Sequence, residues 1–126
     1  LDCIFLVAPG TSEARAREIS QLSSGYVYYV SLKGVTGASH LDTDSVRAKV
    51  SELRKYCSLP IGIGFGIKNA EMAATLGAFA DGIVVGSALV NLIAELDADK
   101  SYTQQELLEH ITLIADMRQA LDSLNG

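Results

Sequence analysis

Two cysteines, Cys3 and Cys57, are the whole thiol content of this sequence. Neither stands in a C-x-x-C spacing, which argues against a zinc ribbon or a redox pair, and both are expected as buried, reduced thiols. His40 and His110 lie on unrelated segments and do not complete a metal set with them. Long apolar runs are missing too. None approaches the ~18 residues of a membrane span, and no basic stretch followed by an apolar one marks a secretory leader. No membrane association is expected, and the expected location is cytoplasmic. Basic residues are in deficit, ten Lys and Arg against fifteen Asp and Glu, for a formal charge of −5. That balance disfavours nucleic acid, whose binding needs a basic footprint. It leaves room for an anionic small molecule, because a few backbone amides can hold one locally. The first residue is not Met, and the chain enters an apolar run almost at once. Native domains seldom begin on a buried strand, so a fragment or an excised half is expected.

What is present is ordinary for a single globular domain: 126 residues, 48% hydrophobic and 20% charged. Short apolar segments alternate with longer amphipathic ones. The run from Ile4 to Ala8 reads as a buried parallel strand ending at Pro9-Gly10. A helix capped by Thr11 or Ser12 carries Ala14, Ile19 and Leu22 and ends near Ser23-Ser24-Gly25. Tyr26 to Ser31 is aromatic and β-branched, a strand by composition. The stretch from Leu32 to Asp44 reads as an irregular loop, and Asp44 as the cap of a helix from Ser45 to Tyr56. On that helix Val46, Val50 and Leu53 share a face. A third strand, Ile61 to Ile67, leads to a helix capped by Asn69, and a fourth, Gly82 to Gly86, runs into a short helix at Ser87 to Asn91. Thr103 caps one long final helix with Leu107, Leu108, Ile111, Ile114, Ala115 and Leu121 along one side. The order β-α-β-α-β-α-β-α implies an α/β fold with a parallel sheet and right-handed crossovers. Four such units make half of an eight-stranded barrel or a small doubly wound sheet, and length alone does not choose.

The chemistry is carried by glycines. In a (β/α)₈ barrel the active site lies at the carboxyl ends of the strands, and loops after the last two strands often build a phosphate site with a short extra helix. Here the third strand ends at Gly64-Phe65-Gly66 and the fourth at Gly86-Ser87. A ligand can approach such positions closely because no Cβ intervenes. The helix starting near Ser87 would direct free N–H groups and its positive dipole end at an anion. A few charge-assisted bonds, each worth about 1.5–3 kcal/mol, would hold a phosphate without arginine. The loop Gly34-Val35-Thr36-Gly37-Ala38 has the composition of a lid, although an ordinary glycine-rich connection has it too.

Taken in order, Tyr26-Val27-Tyr28-Tyr29-Val30-Ser31, Gly34-Val35-Thr36-Gly37-Ala38, Gly64-Phe65-Gly66-Ile67 and Asp81-Gly82-Ile83-Val84-Val85-Gly86-Ser87-Ala88 resemble the successive signatures of the tryptophan synthase α subunit family. The opening Ile4 to Pro9 is similar to that family's fifth barrel strand, and the resemblance runs from about residue 3 to residue 95. It implies the parallel (βα)₄ half of a TIM (β/α)₈ barrel, strands five to eight, as one unit over residues 1–126 that lacks its N-terminal half. It also implies an activity, cleavage of indole-3-glycerol phosphate to indole and glyceraldehyde 3-phosphate. The implied partner is a β subunit, on which pyridoxal phosphate is expected; no cofactor is expected on this chain. By the same resemblance Gly37, Gly66, Gly86 and Ser87 grip the substrate phosphate, and Tyr28 lies near the indole and the catalytic acid. Phe65 and Gly64 line the indole pocket, Tyr26 is a second aromatic of its strand, and Thr36 closes over the site.

The family's catalytic glutamate and aspartate come from earlier strands and have no counterpart here, so no catalytic residue is expected on this chain and the isolated fragment is expected to be inactive. Asp81 precedes its strand, at the end opposite the site, and reads as structural. Lys33 and His40 read as loop residues, and Glu95, Asp97, Asp99, Glu106, Glu109, Asp116 and Asp122 as a solvated face. A lone half-barrel leaves two strand edges and one sheet face uncovered, so a complementary N-terminal half or a second copy is expected. Two other readings stay open at this point: another phosphosugar barrel enzyme, and a non-catalytic module that binds a β-subunit partner.

Overall fold

A computed structural model describes residues 1–31, 42–64 and 66–124. Its four strands are β1 (Phe5–Val7), β2 (Val27–Val30), β3 (Ile61–Gly64) and β4 (Gly82–Val84). They form one parallel sheet in sequence order, β1-β2-β3-β4, with an α-helix in each crossover. The crossover helices are α1 (Glu13–Leu22), α2 (Thr43–Leu53) and α3 (Ala70–Gly77). After β4 come α4 (Ser87–Ala94), α5 (Gln104–His110) and α6 (Thr112–Asp122). Neighbouring strands that are also neighbours in sequence, each returned by a helix on the same side, are the geometry of a barrel wall.

The register sorts the strand residues onto two faces. Val7, Tyr29, Ile63 and Ile83 lie in one row across the sheet, and Leu6, Tyr28, Gly62 and Gly82 in the next. Alternation sends the first row toward the helices and the second away from them. The core sits on the helix side: Val7, Val27, Tyr29, Ile61 and Ile63 meet Ala16 of α1, Val46, Val50 and Leu53 of α2, Ala73 and Leu76 of α3 and Met117 of α6. The apolar stripe of α2 expected from spacing is thus buried in full. α6 packs on α3.

Several expectations are corrected. α2 begins at Thr43 with Asp42 as its cap, because the Asp42 carboxylate accepts from the Ser45 amide at 3.1 Å; Asp44 sits in the first turn instead. β3 stops at Gly64, because Gly66 takes a left-handed φ of 77° that no strand continues. β4 stops at Val84, and Gly86 becomes the cap of α4. The single final helix divides at Ile111 (φ −105°, ψ 24°), where the β-branched pair Ile111-Thr112 favours a break. Its expected apolar side is only partly covered, since Leu107, Leu108 and Ile114 remain exposed and Met117 makes the core contact. Cys57 is buried, but Cys3 is exposed because it precedes β1 and no element covers it.

Asp81 has the structural role expected of it. Its carboxylate accepts from the Ile61 amide at 2.8 Å and from the Arg54 guanidinium at 2.9 Å, tying the amino ends of β3 and β4 to the end of α2. Among the described residues no helix is long and apolar enough to cross a membrane, and no group of His, Cys, Asp and Glu is placed to hold a metal.

Candidate functional site at the carboxyl rim

The face turned away from the helices is built by a match between two strands. β2 and the residue before it supply Tyr26 and Tyr28, and β3 supplies Gly62 and Gly64. Each tyrosine leans over the glycine two positions further along the neighbouring strand. A Cβ at Gly62 would stand 3.1 Å from Tyr26 Cε2, and one at Gly64 would overlap Tyr28 Oη and Cζ. The glycines are therefore seats for aromatic rings, and only a residue without a side chain fits at 64 while Tyr28 holds this rotamer. Half-buried in that seat, the Tyr28 phenol has its pKa raised, first by burial and then by the neighbouring Tyr26. It remains a neutral hydroxyl, able to donate or accept one hydrogen bond, at any pH near neutrality.

Above the tyrosines the strand ends are locked together. Ser31 is buried, and both its amide (3.0 Å) and its hydroxyl (2.9 Å) donate to the Gly64 carbonyl oxygen. This fixes the carboxyl end of β2 against that of β3. Since Gly64 and Val84 are register partners that end adjacent strands, Gly66 and Gly86 each lie two residues beyond a strand end at the same rim. Gly86 is exposed, and a Cβ built there meets nothing within 4 Å. Ser87 follows as the first residue of α4, whose N-cap has no side-chain hydrogen bond, so the first amides of the helix are left without that partner. Open space and a helix amino end without a side-chain cap are features that can stabilise a small anion.

Of the residues singled out from sequence, the structure brings Tyr26, Tyr28 and Gly64 together on the open face, and places Gly66, Gly86 and Ser87 at the rim beyond it. Thr36, Gly37 and Phe65 lie outside the described residues, as do Lys33 and His40. Two participants were missed. Gly62 seats Tyr26, and Ser31 pins Gly64. A signal for the first was present in the sequence: Tyr26-x-Tyr28 and Gly62-x-Gly64 share the two-residue period that places each pair on one face.

Comparison with known proteins agrees with this architecture. A family model of the tryptophan synthase alpha chain matches residues 1–121. Among individual relatives, the tryptophan synthase alpha chain of Methylococcus capsulatus is 53% identical over 98% of this chain and 45% of its own length. That of Ralstonia nicotianae is 49% identical over 98% of this chain and 44% of its own. The crystal structure of tryptophan synthase subunit alpha from Legionella pneumophila superposes with a TM-score of 0.77 at 39% identity, covering 98% of this chain and 43% of that one. The chain thus spans less than half the length of these relatives, in keeping with four strands of an eight-stranded barrel. Its sequence match, its half-barrel topology and its glycine-ended rim agree: the chain belongs to the tryptophan synthase alpha chain family.

Proposed function

We propose that this chain is the phosphate- and indole-binding half of a tryptophan synthase α subunit. Completed by an N-terminal half, it cleaves indole-3-glycerol phosphate to indole and glyceraldehyde 3-phosphate. The observation that carries the reading is the rim itself, where Gly66 and Gly86 follow the ends of adjacent strands and α4 opens at Ser87. The amides of Gly66, Gly86 and Ser87, with that of Gly37, hold the substrate phosphate, and the Ser87 hydroxyl adds a donor. Charge-assisted bonds of this kind contribute roughly 1.5–3 kcal/mol each, enough to anchor the substrate at one end. The indole lies below, against Tyr26, Tyr28, Gly64 and Phe65, and Thr36 closes over it.

In this reading the chain positions the substrate and does not cut it. The glutamate and aspartate that move protons during carbon–carbon cleavage belong to the N-terminal half of the barrel, and Tyr28, neutral and seated on Gly64, lies close to where they act. No cofactor sits on this chain. The indole passes to a β-subunit partner that carries pyridoxal phosphate, and the assembly is cytoplasmic. Coexpression with the N-terminal half of the Methylococcus capsulatus relative tests the proposal. Indole should form from indole-3-glycerol phosphate only when both halves are present. A complemented pair that binds glycerol 3-phosphate no better than the N-terminal half alone would sink it.

A further inference from the structure

In the proposed phosphate site α4 has the most to do, and it is weakly anchored. None of its residues Ser87–Ala94 is buried, its cap has no side chain to hold the first turn, and Val90 and Ile93 stand exposed. Among the described residues one side-chain hydrogen bond reaches its backbone from another element: His110, in the last turn of α5, donates from Nε2 to the Leu92 carbonyl oxygen. A carbonyl can only accept, so Nε2 carries a proton, in the neutral tautomer and the imidazolium alike. The contact meets α4 where it needs a partner. Leu92 lies in the last turn, where carbonyls lose their intrahelical donors, and the Glu95 amide that reaches it at 3.3 Å is shared with Asn91 O at 3.1 Å.

His110 lies in the last turn of a helix whose start is well capped. Thr103 and Glu106 form a reciprocal capping box that starts α5. The connection from α4 is folded on itself just before α5: the Asp97 amide donates to Tyr102 Oη at 2.9 Å, and the Lys100 ammonium lies 5.0 Å from the Tyr102 ring centroid. α4 is thus fixed at one end by its exit from β4 and at the other by His110. Eight residues of helix span only about 12 Å, so a displacement of the last turn tilts the first one.

We propose that His110 is a positioning residue for the anion site: by gripping the carboxyl end of α4, it sets the direction in which the amides at Gly86 and Ser87 are presented. The inference rests on the phosphate reading given above, and it predicts that a residue outside the rim controls affinity there. The test titrates the isotopically labelled 126-residue chain with inorganic phosphate and follows the Gly86 and Ser87 amide resonances. It also records hydrogen exchange at the Val90 amide, which bonds to Gly86 O. His110→Ala should weaken phosphate binding roughly three- to tenfold, the worth of one hydrogen bond, and speed exchange at Val90. His110→Gln, whose side-chain amide still donates, should keep affinity within about twofold of the parent. Ser12→Ala removes the cap of α1 and lowers stability without touching α4, so it should leave phosphate affinity unchanged.

Parental affinity in His110→Ala overturns the inference. So does a Gln variant as weak as the Ala variant, or a Ser12→Ala variant as weak as either. A parent chain whose Gly86 and Ser87 resonances ignore phosphate would count against the phosphate reading itself. Exchange at Val90 then decides the positioning role alone, faster in His110→Ala supporting it and unchanged overturning it.

Discussion

On the helix-covered face of the sheet Val7, Val27, Ile61 and Ile63 have no exposed surface, whereas on the other face Leu6 keeps 60% of its own and Gly82 is exposed. The same four strands supply both rows, and strict alternation separates them. The covered row is β-branched and aromatic and packs against helices on its own chain. The open face sets Tyr26, Tyr28, Gly62, Gly64 and Gly82 among Leu6, Val30 and Val84, with rings lying on a neighbour's backbone. The contrast teaches where this half-chain keeps its stability and where it waits for something else. Folding rests on the helix face, and the other face is left open.

The sharpest way to break that comparison is to empty one side of it. Ile63→Ala removes a fully buried side chain of β3 and should destabilise the chain by about 2–5 kcal/mol in urea unfolding. Leu6→Ala, on the open face, removes a side chain still mostly in water and should cost under about 1 kcal/mol. Equal losses would mean that the open face already holds the fold together. When the chain is assembled with an N-terminal half, the Leu6 cost should rise toward the core value, because the same methyl groups then leave water.

A step down in size, Gly64→Ala tests whether the open face is organised by ring on glycine. The added methyl overlaps Tyr28 Oη and Cζ, so overpacking of about 1–3 kcal/mol is expected. Tyr28→Phe should not relieve it, since Cζ remains in place, whereas Tyr28→Ser should. A double-mutant cycle with Tyr28→Ser should therefore show a coupling of at least about 0.5 kcal/mol. Additive effects would show that the ring swings aside freely and that the seat has no part in holding it.

Much of this fold was legible from the residues, and the exceptions share a cause. The strand–helix alternation, the buried stripe of α2 and the cap at Asn69 follow from local periodicity and hydrogen-bonding chemistry, which act over three or four residues. The choice of Asp42 over Asp44 as a cap, and the division at Ile111, turn on competition between neighbouring residues of similar propensity. The rim glycines could be named from sequence, but the role of Ser31 could not, because its partner Gly64 is 33 residues away and the contact exists only once β2 and β3 are in register. The exposure of Cys3 was misjudged for a related reason: a thiol beside an apolar run is buried only if another element covers that run's end.

Gly86→Asp should have a smaller effect on the fold and a decisive one on the rim. Its φ is not left-handed and a Cβ there meets open space, so stability should stay within about 1 kcal/mol of the parent. Glycerol 3-phosphate binding should be lost beyond detection, because a carboxylate then occupies the anion's place. A variant that keeps the affinity would move the site elsewhere. Gly66→Ala is the useful contrast, since a φ of 77° makes the backbone itself resist a side chain, at about 1–2 kcal/mol.

The smallest effect separates the two faces by titration. Tyr28 and Tyr29 are neighbours with opposite orientations, and both phenols have raised pKa values, Tyr28 by burial and then Tyr26, Tyr29 by burial and then the carboxylate of Glu52. A phenol whose folded value lies above its unfolded value of 10.0 contributes stability that is complete below that pH and is lost as pH rises through the folded value. Only Tyr28 is reachable from the open face, so it should ionise while the chain remains folded, whereas buried Tyr29 should ionise only as the core opens. Absorbance at alkaline pH, compared with circular dichroism, resolves the two. Tyr28→Phe should remove a transition that precedes unfolding, and Tyr29→Phe should remove amplitude that coincides with it. If both variants remove amplitude only at unfolding, Tyr28 is as closed to water as its neighbour, and the open face is not open at that point.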